Sequence, residues 1–373
     1  MKWQHRTIGD LVALQRGHDL TDVERKEGSV PVIGSAGQNG FHEIARSRGP
    51  GVTIGRSGGS IGKVTFVKQD FWPHNTCIYV TDFKGNDPRF VAYLLGTIDL
   101  AQLNSGAAQP SLNRNFVYGV RIAYPDPTEQ RRVAEVLSAY DELMENNRRR
   151  MELLEESARL VYREWFVRLR FPGHEHARIT NGIPAGWERK VLGDICDDIR
   201  EIVSPENLEP DLPYIGLEHI PRRSISLCDW GKVEDVTSSK SRFKTGDILF
   251  GKIRPYFHKV GIAFADGVAS SDAIVIRPNT DDLRSFVLMT VSSDKFVAEA
   301  SQTMREGSKM PRADWKLMTQ YPVALPPRGL LESFSGTVNA ITDQLRNLCF
   351  QNQKLRAARD LLLPRLMSGE IAV

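Results

Sequence analysis

Six basic side chains fall between Lys240 and Lys259 against one acid, Asp247: Lys240, Arg242, Lys244, Lys252, Arg254 and Lys259. Tyr256, Phe257 and His258 are interleaved with them. Lysine and arginine neutralise phosphates, and arginine pairs with two base-edge acceptors at once, so this stretch is a candidate reader of nucleic acid. The first half carries a related set at Arg56, Ser57, Ser60 and Lys63. Each set is followed by a second polar loop. In the first half it holds Asn104, Gln109, Ser111, Asn113, Arg114 and Asn115; in the second, Arg305, Lys309, Arg312 and Lys316. Amide side chains suit adenine edges, and neighbouring glycines permit close backbone approach. Taken singly, each patch also fits an ordinary solvated loop.

Other chemistries are harder to place. Gly55-Arg56-Ser57-Gly58-Gly59-Ser60-Ile61-Gly62-Lys63 looks at first like a phosphate-cradling loop. The required spacing is broken by Ser57 and Val64, and Val64-Thr65-Phe66-Val67 predicts a strand where such a loop opens a helix. Glu188-Arg189-Lys190 is an acid-x-lysine fragment without an upstream acidic partner, and His174-Glu175-His176 lacks further metal ligands. No GxGxxG, GxSxG or metal-ligand helix is found. The chain does not read as an enzyme. Cys77, Cys196, Cys228 and Cys349 form no CxxC pair and read as reduced thiols of a cytoplasmic protein. Met1–Arg6 opens no secretory signal, and no apolar run is long enough to span a bilayer.

The elements that must position these loops come in duplicate. A chain of 373 residues suggests two domains. Arg189–Ile195 echoes Arg6–Leu11, Gly246–Lys252 echoes Gly51–Arg56, and Gly307–Pro311 parallels Gly106–Pro110. Each half reads as short strands and turns, a proline punctuation, and then a helix. In the first helix a seam from Val133 to Trp165 advances in alternating steps of four and three, with Asn147 its one polar member. The second seam, Phe334 to Leu366, lies 201 residues later at every position and includes Asn352 and Arg359. Antiparallel pairing that faces Asn147 with Asn352 also faces Val133 with Leu366, Ala158 with Ile341 and Trp165 with Phe334. The two asparagines then set the register, as a buried polar residue in a seam does. The seam is about 48 Å long at ~1.5 Å per residue.

These patterns predict a mixed α+β chain: two tandem recognition domains, each followed by a long helix, the helices pairing as an antiparallel coiled coil. The expected segments are 1–124, a helical region 125–172, a linker 173–186, a second domain 187–325 and a helical region 326–373. Of the two globular segments only the first is mildly basic, with 14 basic and 10 acidic residues, so the net charge of +3 says little about partners.

Together, this layout and three motifs resemble the specificity subunit of type I restriction–modification systems. The motifs are Gly55-Arg56 with Gly62, Pro127-Thr128-Glu129-Gln130 at the first helix start, and Leu361-Leu362-Leu363-Pro364-Arg365-Leu366-Met367-Ser368-Gly369-Glu370-Ile371 at the end of the second. The second helix opens instead as Pro327-Arg328-Gly329-Leu330-Leu331-Glu332. The resemblance implies a non-catalytic DNA-targeting subunit reading a split sequence, one half per domain. It also implies two adenine methyltransferase subunits binding S-adenosylmethionine and restriction subunits using ATP, with neither cofactor on this chain. DNA is expected at Arg56, Ser57, Ser60, Lys63, Gln109, Asn113, Arg114, Lys252, Arg254, Tyr256, Lys259, Lys309 and Arg312. A type IIB specificity subunit shares this layout, and a plain coiled-coil scaffold is a further reading.

Overall fold

The computed structural model describes residues 3–103, 111–303 and 310–373. The chain divides into two compact units, Met1–Met144 with Lys354–Val373, and Glu145–Gln353.

In the first unit a four-stranded antiparallel sheet runs in the order Ala13–Arg16, Cys77–Asp82, Gly51–Gly55, Val64–Val67. The central strand Gly51–Gly55 is buried throughout. The stretch Val64–Val67 is a strand, as its β-branched and aromatic residues predict, which agrees with reading no phosphate loop before it. Helix Pro88–Gly96 starts where Pro88 meets the side-chain cap of Asp87, which accepts from Arg89 N and Phe90 N. Its apolar face, Phe90, Val91, Leu94 and Leu95, is buried. Strand Gln4–Thr7 pairs with Arg121–Tyr124 and so closes the domain just before the first long helix.

The second unit repeats this plan with additions. Its corresponding strands are Cys196–Asp198, Ala273–Pro278, Ile248–Gly251 and Val260–Ala263, extended by a parallel fifth strand, Ser226–Leu227. Strand Glu188–Val191 pairs with Pro322–Leu325 as the matching closure. The expected linker contains a small hairpin, Ile179–Thr180 with Ile183–Pro184. Its turn is Asn181-Gly182, both at positive φ, the pairing such tight hairpins require.

The first long helix covers Pro127–Tyr162 and passes into a π-helical turn, Arg163–Val167. The second covers Arg328–Met367. Each unit uses parts of both helices as core. In the first, Val133 and Leu137 cluster with Leu366 and Met367 around Ile54, Ile78 and Phe90. In the second, Ala158 and its neighbours Leu154, Val161 and Trp165 cluster with Phe334, Val338 and Leu345. Phe334 is fully buried, its ring 4.7 Å from Phe166 and 5.8 Å from Trp165. Burying a side chain of this size contributes about 1.5–3 kcal/mol from surface removal alone. Asn147 Nδ2 donates to Asn352 Oδ1 at 3.0 Å.

One expectation is corrected. Cys228 and Cys349 form a disulfide, with Cα atoms 5.4 Å apart, while Cys77 and Cys196 are free and buried. The pair is 121 residues apart in sequence. Only folding of the recognition domain onto the second helix brings the two together, so their spacing carries no signal.

Candidate nucleic-acid interface

Both halves build their loops with the same three backbone hydrogen bonds. Gly55 N donates to Lys63 O and Gly251 N to Lys259 O, each at 2.8 Å. Arg56 N donates to Thr76 O and Lys252 N to Asp272 O, each at 2.9 Å. Leu112 N donates to Arg56 O at 2.9 Å and Ala313 N to Lys252 O at 2.8 Å. The described part of each second loop, from Ser111 and from Pro311, thereby lies beside the first loop, with bridges Ser57–Ser111 and Ile253–Arg312.

In the first half the strand Gly51–Gly55 delivers the chain into a tight loop. A Cβ at Gly55 would run into the carbonyl oxygens of Ser60 and Ser35, and Gly62 sits at φ +79°, so both positions favour glycine. Ser35 Oγ donates to Ser57 O at 2.7 Å and Lys63 Nζ donates to Ala36 O at 2.6 Å, which braces the loop from below. Arg56 and Ser60 are half-buried, and Lys63 is exposed. Asn113 caps the short helix Arg114–Tyr118 by accepting from Asn115 N at 3.0 Å. Arg114 is exposed, with Nη1 3.3 Å from Leu14 O. Gln109 lies outside the described residues.

In the second half Arg254 and His258 both take positive φ, bracketing the turn Pro255–Phe257. Arg254 N donates to Pro311 O at 2.9 Å, which leaves its side chain exposed. Exposed Tyr256 packs edge-on to Phe257 with centroids 5.0 Å apart. Arg222 lies 4.0 Å over the Phe257 ring and Arg254 lies 5.9 Å from it, so one aromatic ring gathers two guanidinium groups. Arg222 was not among the expected residues; its only signal is the pair Arg222-Arg223 after Pro221. Arg312 pairs with Asp272 at 3.0 Å. Lys252 and Arg312 line a cavity of about 770 Å³ with Arg200, Trp315 and Lys316. Lys309 lies outside the described residues.

The basic run Lys240–Lys259 does not stay together as one patch. Lys240 is buried, with Nζ on Ser238 at 2.8 Å, and Arg242 is engaged by Glu209 at 2.9 Å. Lys259 turns its ammonium to the Leu217 carbonyl, and burial together with Arg222 holds its pKa below the ordinary lysine value. Of that run, Lys252 and Arg254 lie at the loop with Arg312, and Lys244 is exposed in a separate turn before Asp247.

The family model for the type I restriction modification DNA specificity domain matches residues 1–156. Over those residues the chain is similar to that family. Over 335 residues the chain is 22% identical to the MjaIX specificity subunit of Methanocaldococcus jannaschii, covering 84% of this chain and 76% of that one. It is 25% identical over 247 residues to the EcoDI specificity subunit of Escherichia coli, covering 60% and 55% of the two chains. The fold is similar to the crystal structure of a type I S subunit from M. genitalium. That similarity has a TM-score of 0.64 at 18% identity and covers 98% of this chain and 96% of that one. The resemblance read from the motifs and the duplicated layout is therefore borne out. Among the described residues, no helix of the chain is long and apolar enough to cross a membrane.

Proposed function

We propose that this specificity subunit reads a bipartite sequence in double-stranded DNA, one half-site per recognition domain, without catalysing a reaction itself. It brings two adenine methyltransferase subunits to the site, and restriction subunits join them; S-adenosylmethionine and ATP reside on those partners, in the cytoplasm. The carrying observation is the repeated set of three backbone hydrogen bonds, which presents Arg56–Lys63 in one half and Lys252–Lys259 in the other. An equivalent frame with different side chains is what two readers of different half-sites require. In this reading Arg56, Ser57, Ser60, Lys63, Gln109, Asn113 and Arg114 serve the first half-site. Lys252, Arg254, Tyr256, Lys309 and Arg312 serve the second, while Lys259, expected there from sequence, is committed to the Leu217 carbonyl.

The long helices act as an antiparallel coil separating the half-sites, with Asn147 and Asn352 setting its register. The Asn147–Asn352 hydrogen bond of 3.0 Å supports that pairing. A seam of about 48 Å suits half-sites about one duplex turn apart, ~34–36 Å.

The test is to co-express the chain with the methyltransferase subunits and map modified adenines by single-molecule sequencing. A two-part motif with a fixed gap should appear, vanish when this chain is deleted, and change in one half only when residues 1–124 are exchanged. A methylome indifferent to the deletion would reject the role.

A further inference from the structure

Beside the π-helical turn, within the second unit, lies a cavity of about 500 Å³, which the recognition loop Lys252–Lys259 lines only through His258. Four cations line it: Arg159, Arg163, Arg223 and Lys295. Two acids, Glu156 and Asp294, share the lining, but Asp294 is already engaged by Arg223 at 2.9 Å. Arg159 is fixed in place by buried Glu155 at 3.0 Å and by the Arg223 carbonyl at 2.6 Å. Arg163 and Lys295 are exposed and have no acidic partner among the described residues.

Two further features face the same space. The helix Asp294–Gln302 starts there, and its cap, Ser293, accepts from Phe296 N at 3.2 Å. The first amides of that helix have no intrahelical acceptor, and the helix dipole favours an anion at this end. Ser292 also lines the cavity, is 5% exposed, and its hydroxyl is buried with no hydrogen-bond partner. A buried, unmatched hydroxyl beside a helix start and two uncommitted cations is the chemistry that receives phosphate oxygens.

We propose that this cavity is a phosphate-binding site, formed by Arg163, Lys295, Ser292 and the amides at the start of Asp294–Gln302. Its occupant is either a backbone phosphate of the bound DNA or a small phosphate-bearing molecule. The inference does not depend on the sequence-reading role of the loops.

The experiment titrates the full chain with inorganic phosphate, following binding by calorimetry and by ³¹P line broadening. Saturable one-site binding is expected, weakened at least tenfold in the double variant Arg163→Gln/Lys295→Gln and several-fold in Ser292→Ala. The two exposed positions of the double variant should leave the circular dichroism spectrum unchanged, so its result does not depend on Ser292→Ala folding. A duplex bearing the mapped target, added at saturation, then separates the sources. Displacement of phosphate assigns the site to the DNA backbone, and the double variant should then lose affinity equally for all sequences. Undisturbed phosphate binding assigns it to a free phosphate-bearing ligand. Absence of saturable binding, or an unaltered affinity in the double variant, would overturn the proposal. Neither overturning result would touch the methylome test, which reads the loops.

Discussion

The two recognition halves hold their loops with matching backbone hydrogen bonds, yet they anchor and fill them differently. In the first half the helix-opening Gln130 is fully buried. Its Oε1 accepts from Asp87 N at 2.9 Å, and its Nε2 donates to Asn86 Oδ1 and Pro125 O at 2.8 and 2.9 Å. The position 201 residues later is Leu331, buried in the apolar core of the second unit. Core aromatics differ in the same way: buried Val133 occupies the seam position that Phe334 occupies in the second helix. The first half thus ties domain to helix with a polar lock, and the second does so with aromatic packing. The lesson is that the frame rests on backbone geometry and tolerates either chemistry around it.

Several substitutions sharpen that contrast. Phe334→Ala should have the largest effect, destabilising the second unit by about 3–5 kcal/mol in urea unfolding, with Val133→Ala costing clearly less. Equal costs would break the contrast. Gly55→Ala should cost about 3 kcal/mol, because its Cβ meets backbone carbonyls on two sides. Gly251→Ala should cost about 1 kcal/mol, since its nearest neighbours, Leu217 Cδ2 and Lys259 Cβ at 3.2 Å, need shift only slightly.

Gln130→Leu tests whether the lock of the first half can be exchanged for that of the second. It leaves Asp87 N and Pro125 O unmatched, so a loss of about 1–3 kcal/mol is expected in the same unfolding assay. Arg254→Ala should reduce discrimination at one position of the second half-site by about 1–3 kcal/mol in competition binding, leaving the first half-site unchanged. Uniform weakening on all sequences would make Arg254 a phosphate contact instead.

The smallest effect is on pH dependence. His258 is 7% exposed, and its Nε2 lies 2.8 Å from Ser292 O. Burial holds its imidazole below the ordinary value of 6.5. The unfolded chain therefore takes up the proton first as pH falls below 6.5, and stability contributed by this site is lost on acidification. A fall of a few degrees in Tm between pH 7.5 and 5.5 is expected, diminished in His258→Gln.

The duplicated plan was legible because it is written in local signals. The 201-residue offset of the helical seams, the closing prolines, and Gly55 and Gly62 each follow from a periodicity or a backbone need confined to a few residues. The hairpin turn Asn181-Gly182 inside the expected linker carries such a local signal too. What tertiary structure alone decided is which charged groups stay available. The basic run Lys240–Lys259 looks uniform in sequence, yet folding spends Lys240 on Ser238, Arg242 on Glu209 and Lys259 on a carbonyl, while placing Arg222 over Phe257. The Cys228–Cys349 pair and the cavity beside Arg163 belong to the same class. Their partners are far apart along the chain, and a side chain's charge or thiol says nothing of what will face it. Periodicity encodes which face is buried; only packing decides which polar groups meet there and which remain for a ligand.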